Sequence, residues 1–281
     1  MLGGGYMQVD ETPIKYLEPG SWQHPVGLSL DQHLSPWGRA VRLADQPRGG
    51  VPGAHHPSGF AGTVQCDGYN AYRAFAQRRG GVVTLAGCWA HVRRKFHEAL
   101  EQSPRAAGWF LRQIQHLYQV EAQLRKHRAD PGLRVAERSW KSRPAVARIH
   151  RAMVKLKTSR RHLPQSLMGQ AIDYALSQWP ALGVWLQDGR VEIDNNLVEN
   201  AIRPTAVGKK NWLFIGDAQA GDRGAVIYTI IESCRRRGID PHAYLRDVLT
   251  RLPKMTNWQV RDITPEAWAK SQSRIPLRAA S

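Results

Sequence analysis

Two short apolar runs in this chain end alike: Met7-Gln-Val-Asp10, and much later Val64-Gln-Cys-Asp67. Apolar runs of that length, bounded by polar residues, read as strands, so each aspartate stands at a strand end. A third carboxylate, Glu199, falls inside a helix start that Asp194-Asn195-Asn196 can cap. A fold that brings these elements together mixes strands with helices. Carboxylates converging from separate elements are what two divalent ions ~3.5–4 Å apart require, and hard oxygen ligands suit Mg²⁺. One ion would activate a water or a DNA 3′-hydroxyl and the other would stabilise the leaving oxygen. A plainer reading makes Asp10 and Asp67 turn residues and Glu199 a surface helix residue. On spacing alone the plainer reading is the stronger.

Charge narrows the partners. Forty Lys+Arg against 23 Asp+Glu leave a formal net charge of +17, which favours a polyanion such as nucleic acid. The basic residues cluster at Arg93-Arg94-Lys95, Lys155 to His162, Arg203 with Lys209-Lys210, and Arg235-Arg236-Arg237. Any of these can be a solvated face. Arg203 lies one helical turn beyond Glu199 and is open to a structural contact with it. Lys209 and Lys210 are the stronger candidates for phosphate contacts. Three scattered cysteines exclude a disulfide scaffold and point to a reducing compartment. No stretch reaches the ~20 apolar residues of a membrane span, and the N-terminus lacks the pattern of a signal peptide. The expectation is a cytoplasmic protein with no membrane partner.

Along the chain, Tyr6 to Leu17 reads as a strand, whereas residues 20–59 are rich in Gly, Pro and His without a sustained period. Thr63 to Asp67 and Val82 to Cys88 read as strands, Asn70 to Arg79 and Trp89 to Gln102 as helices. A long helical region follows. Leu111, Ile114, Leu117, Tyr118, Glu121 and Leu124 fall at i, i+3, i+4 spacing on one face, and Val146 to Lys157 and Ser166 to Trp179 continue in that style. The capped helix runs through Glu199 toward Arg203, Asn211 to Ile215 is short and apolar, and Gly224 to Arg237 and Pro241 to Leu252 are further helices. Little is assigned beyond Pro253. The Cys88-x-x-His91 pair could begin a zinc site, but a structural site wants four ligands and no second pair is near. Packing or support of an active site is the favoured role.

Several strings carry a family resemblance. Val9-Asp-Glu-Thr-Pro13, Gln65-Cys-Asp-Gly-Tyr69, Gly87-Cys-Trp-Ala-His-Val-Arg-Arg-Lys-Phe96, Ile193-Asp-Asn-Asn-Leu-Val-Glu-Asn-Ala-Ile-Arg-Pro204 and Gly208-Lys-Lys-Asn-Trp-Leu-Phe214 resemble transposases of the insertion sequence 66 family. The resemblance covers residues 6–20 and 59–270 in order. It implies an α/β fold, a ribonuclease-H-like mixed sheet with a large α-helical insertion, and a DDE catalytic triad on Asp10, Asp67 and Glu199 holding two Mg²⁺ ions. DNA, both insertion-sequence ends and target, would be the partner, with Arg93, Arg94, Lys95, Arg203, Lys209 and Lys210 as contacts, and the protein a homo-oligomer. The domains would be residues 1–96 and 186–252 for the catalytic core, 97–185 for the insertion, and 253–281 for a tail.

The chain departs from that pattern twice. Complete relatives carry DNA-binding segments ahead of the catalytic domain, so this chain reads as N-terminally truncated, with end recognition missing or supplied in trans. Residues 20–58, where the family has its second and third strands, are compatible with an out-of-frame translation. Leu30 to Gly38 can be encoded so that the frame one base later reads Trp-Thr-Asn-Thr-Tyr-Arg-Pro-Gly-Gly. Compensating frame changes would lie near Gly20 and near Ser58. The expectation is that strands 2 and 3 are missing or disordered. The sheet would then have an open edge beside its first strand, and catalysis would be weak or absent. The alternative function is a non-catalytic DNA-binding remnant that interferes with intact transposase. A ribonuclease-H-like nuclease that hydrolyses without joining is a third reading.

Overall fold

The computed structural model describes residues 5–16, 25–35, 38–46, 60–68, 70–215 and 218–272 of the 281-residue chain. The chain divides into two compact units, Met1–Val9 with Val51–Glu199, and Asp10–Gly50 with Asn200–Ser281. Among the described residues the strands are β1 (Gly5–Tyr16), β2 (Pro25–Ser35), β3 (Gly38–Gln46), β4 (Gly62–Gln65), β5 (Val83–Ala86) and β6 (Phe214–Ile215).

In the first unit β1, β4 and β5 run parallel, with Gly5 opposite Gly62, Gln8 opposite Gln65 and Gln65 opposite Ala86. Gly62 makes the first pairing feasible. Its φ is +144°, and a Cβ there would collide with the Gly5 backbone. Side chains alternate across the strands as a period of two demands. Met7, Val9, Val64 and Cys66 form one buried apolar cluster with Tyr72 and Phe75 of α1 (Asn70–Arg78). Gln8, Thr63 and Gln65 are buried too, on the opposite face.

On that second face lies the larger core. It is built by α2 (Trp89–Glu98), α3 (Pro104–Lys126), α4 (Pro131–Glu137), α5 (Arg143–Thr158), α6 (Leu167–Ser177) and the short α7 (Trp179–Leu182). Phe96 stacks on Phe110 with centroids 4.4 Å apart, and Trp89 meets Trp179 edge-on at 6.0 Å. Asp130 caps α4, its Oδ1 accepting from Gly132 N at 2.8 Å, and Ser166 caps α6. Between α4 and α5 the helix widens into a π-turn, Arg138–Ser142. Pro144 explains the widening. It has no N–H to give the carbonyl four residues back, and the extra residue in the turn relieves its ring.

The expectation for residues 20–58 needs correction. Pro25–Ser35 and Gly38–Gln46 are strands, paired antiparallel from Gly27 opposite Gln46 to Ser35 opposite Gly38. Within the second unit β3 pairs β2, β2 borders β1, and β6 pairs β1 through Lys15–Phe214 and Tyr16–Ile215. So β1 has a neighbour where an open edge was expected. The sequence does hold the signal: Val26, Leu28, Leu30 and Leu34 fall two or four apart, a strand period that the surrounding Gly, Pro and His obscure. The proposed frame changes near Gly20 and Ser58 fall outside the described residues.

The second unit holds most of α8 (Asn196–Trp212), with α9 (Ala218–Arg235), α10 (Pro241–Arg251) and α11 (Pro265–Gln272). The capped helix does not stop at Arg203 but passes Pro204 and continues to Trp212. Cys234, Ile239, Tyr244, Val248 and Ile263 form a small buried cluster. Tyr244 Oη donates to Ile263 O at 2.7 Å, and Trp268 Nε1 to Asp247 Oδ2 at 2.8 Å. Beyond Pro253, where the sequence assigns little, Met255, Ile263 and Trp268 pack in or against this cluster. Among the described residues no helix is long and apolar enough to cross a membrane.

Candidate active site

Buried glutamines on a strand must find partners, and here they find one loop. Gln65 Nε2 donates to Glu192 O at 2.7 Å and to Gly87 O at 3.1 Å, while Gln65 Oε1 accepts from Tyr6 Oη at 2.5 Å. Gln8 Nε2 donates to Asp194 O at 2.9 Å and to Tyr6 Oη at 2.8 Å. Tyr6 Oη also accepts from Glu192 N at 3.1 Å, and Asn195 Nδ2 reaches Val9 O at 3.4 Å. Burial pushes the Tyr6 phenol far above its ordinary range, so it stays a neutral donor. These bonds staple residues 192–195 onto β1 and β4. The same loop begins α8: Val198 N and Glu199 N both donate to Asn195 O, at 3.0 and 3.1 Å. Three residues of the sequence, Tyr6, Gln8 and Gln65, thus fix the entry of the helix that carries Glu199.

The loop is held from its other side by the helical region. Arg138 is wholly buried and all five of its N–H groups are used. Nε and Nη2 form a bidentate pair with Glu121 at 2.7 and 2.8 Å; Nη1 donates to Trp185 O and Asp188 O, and Nη2 also to Val191 O. Arg134 Nη2 bridges Glu121 Oε2 at 3.0 Å and Glu192 Oε1 at 2.9 Å. Arg134 and Arg138 lie four residues apart, one helical turn, and so reach the same carboxylate.

Burial works against the Glu121 carboxylate, but hydrogen bonds and charge from Arg138 and Arg134 outweigh it and hold the carboxyl below its ordinary range. A folded value below the unfolded one gives stability that is present above the unfolded value and is lost as pH falls through the folded one. The melting temperature should therefore drop as pH falls below ~4.3, the ordinary glutamate value. Glu121→Gln should melt lower at neutral pH yet with a shallower acid slope. An acid slope equal to that of the unsubstituted chain would refute the assignment.

Glu199 faces α2. His91 Nδ1 lies 3.6 Å from Glu199 Oε1, and both atoms are buried without a hydrogen-bond partner. Cys88, just ahead of α2, brings its Sγ within 4.8 Å of both. The first turn of α2 is itself tied to the stapled loop, since Trp89 N donates to Ile193 O at 3.1 Å. Burial pushes the Cys88 thiol up to about 12, against the pull of the Asn195 and His91 backbone N–H groups.

Asp67 follows β4, half-buried, and lines a cavity of about 470 Å³ with Gly68, Arg73, Gly87 and Gln178. Asp10 is half-buried on β1. Gln8 and Gln65 are register partners, and Asp10 and Asp67 each come two residues later. Arg93 and Arg94 are exposed on α2, while Lys95 lies 3.3 Å from Glu98. Arg203 and Lys210 are exposed on α8, and Lys209 is half-buried there.

The family model of the Transposase IS66 family matches residues 1–223, and that of the IS66 C-terminal element matches residues 229–268. Three similar proteins come from Sinorhizobium fredii (strain NBRC 101917 / NGR234), all uncharacterized. With y4jD the identity is 32% over 94% of this chain and 53% of the relative. With y4qI it is 35% over 90% and 48%, and with y4hP 31% over 86% and 46%. The chain thus spans about half the length of the curated relatives it matches. No solved structure matches it. With one family model covering far more than half of its residues, the chain belongs to the IS66 family of transposases.

Proposed function

We propose that this chain carries the catalytic part of a DNA transposase, which cuts and joins DNA strands on a ribonuclease-H-like core with a helical insertion. The polar face of β1 and β4 carries the reading. Asp10 follows Gln8 by two residues on β1, and Asp67 follows Gln65 by two residues just past the end of β4. Those glutamines hold the loop that leads into Glu199. Asp10, Asp67 and Glu199 would hold two Mg²⁺ ions, and a buried carboxylate oxygen without a donor, Glu199 Oε1, fits a cation ligand. Bound there, the ions would supply Lewis-acid polarisation of the scissile phosphate and a more acidic attacking hydroxyl. The protein's own contribution would be to present carboxylates from three separate elements to those ions. Arg93, Arg94, Lys95, Arg203, Lys209 and Lys210 would position the DNA backbone, and a homo-oligomer would pair two ends. With β2 bordering β1, the open edge on which weak catalysis was expected is no longer a ground for it.

Asp67→Asn should lower Mg²⁺-dependent cleavage and joining of DNA by about 10³-fold, roughly 4 kcal/mol of transition-state stabilisation. DNA binding and melting temperature should hold. A second reading, a non-catalytic DNA-binding protein that interferes with intact transposase, draws on the net charge of +17 and needs no carboxylates. It expects DNA binding without cleavage in the unsubstituted chain and no effect of Asp67→Asn on anything measured.

A further inference from the structure

Cys88, His91 and Glu199 offer a sulfur, a ring nitrogen and a carboxylate oxygen within 4.8 Å of one another. We propose that they form a binding site for a thiophilic divalent cation of the zinc class, and that such an ion competes with Mg²⁺ for Glu199. The competition rests on the catalytic reading given above; the binding does not.

The donors come from two elements whose relative position is fixed. Cys88 and His91 flank the first turn of α2, three residues apart and so on one helical face. Glu199 arrives on α8, and the stapled loop bonds to both helices: Trp89 N to Ile193 O, and Glu199 N to Asn195 O. His91 Nδ1 and Glu199 Oε1 are 3.6 Å apart. Two zinc bonds of ~2.05 Å at a tetrahedral angle span ~3.4 Å, so this edge is nearly set, and the sulfur stands within 4.8 Å of both atoms. Both atoms are buried without a partner, a costly state unless something between them satisfies both. Sulfur and imidazole together select zinc-like ions over Mg²⁺, which prefers oxygen alone. Three protein ligands leave the fourth position to water. On binding, the Cys88 S–H bond breaks, a metal–sulfur bond forms, and the proton passes to solvent.

Cobalt(II) added to the full chain without DNA is the probe, because a cobalt–thiolate bond gives a charge-transfer absorption that nitrogen and oxygen ligands do not. One equivalent should produce that band, Zn²⁺ should displace it, and Cys88→Ser should abolish it. His91→Gln and Glu199→Gln should each weaken binding by at least ~10-fold, no less than the loss that outer-shell partners alone can cause. These two side chains are 21% and 23% exposed, so their replacement does not depend on Cys88→Ser folding. Absence of the band overturns the proposal in favour of a direct His91–Glu199 hydrogen bond. So does a band that survives Cys88→Ser or is indifferent to His91→Gln and Glu199→Gln, since Cys66 or Cys234 would then be the ligand. Zn²⁺ that saturates the site yet leaves Mg²⁺-dependent cleavage unchanged overturns the competition. A chain that binds cobalt but never cleaves DNA counts against the catalytic reading alone.

Discussion

Arg138→Met should cost about 3–5 kcal/mol of stability, the usual penalty for removing one partner of a buried ion pair. The reason lies in what remains behind. Glu121, fully buried, keeps only Arg134, the carbonyls of Trp185 and Val191 lose the Arg138 donor, and that of Asp188 is left with Val191 N. At ~2–4 °C per kcal/mol for a chain of this size, the melting temperature should fall by roughly 10 °C. Adding Glu121→Leu should recover part of that loss, because the stranded carboxylate goes with it. A loss under ~1 kcal/mol for Arg138→Met, measured by denaturant unfolding, would show that the network contributes little.

Gln65→Leu should have the second largest effect. Leucine keeps about the same volume, so the change isolates the hydrogen bonds. Tyr6 Oη loses its acceptor, and the carbonyls of Gly87 and Glu192 lose a donor. Two or three orphaned groups at ~1–3 kcal/mol each, partly relieved by relaxation, point to about 3 kcal/mol. The sharper consequence is positional. Glu192 would lose one of its ties to β4, and displacement of a reacting group by ~1 Å costs on the order of 10²-fold in rate. Cleavage by Gln65→Leu should therefore fall by ~10² at a temperature where the variant is still folded, while its DNA affinity stays the same. Unchanged cleavage by the folded variant would mean that the loop positions Glu199 without help from the glutamine.

These two residues also mark where the sequence is legible and where it is not. The runs ending in Asp10 and Asp67 announce strands because apolar side chains dominate them, and Pro164 and Pro180 fall where one helix gives way to the next, whereas Pro144 marks only the π-turn. The glutamines inside both runs carry a signal as well: a polar residue in the middle of a buried strand must be satisfied from elsewhere. Where the partner sits is not readable, since Gln8 and Asp194 are 186 residues apart. Arg138 hides for another reason. An arginine in a helix ordinarily reads as part of a solvated face, and nothing near it in sequence announces Glu121 and the three carbonyls it meets. The hairpin of β2 and β3 hides behind composition, its alternation at Val26, Leu28 and Leu30 broken by Gln32 before Leu34. Cys88 and His91 are half legible. Their spacing marks one helical face, but nothing in it says that Glu199 stands opposite.

The staple has a consequence in time. As the chain is synthesised, β1 and β4 exist long before residues 192–195 do, and until then water must serve Gln8 and Gln65. The strands that lead to Asp10 and Asp67 are finished before Glu199 has been made. On the catalytic reading proposed above, a nascent chain would not act on DNA until its helical region has been translated and has delivered the loop. Contacts of such sequence separation also close slowly, so the site matures after the helices around it.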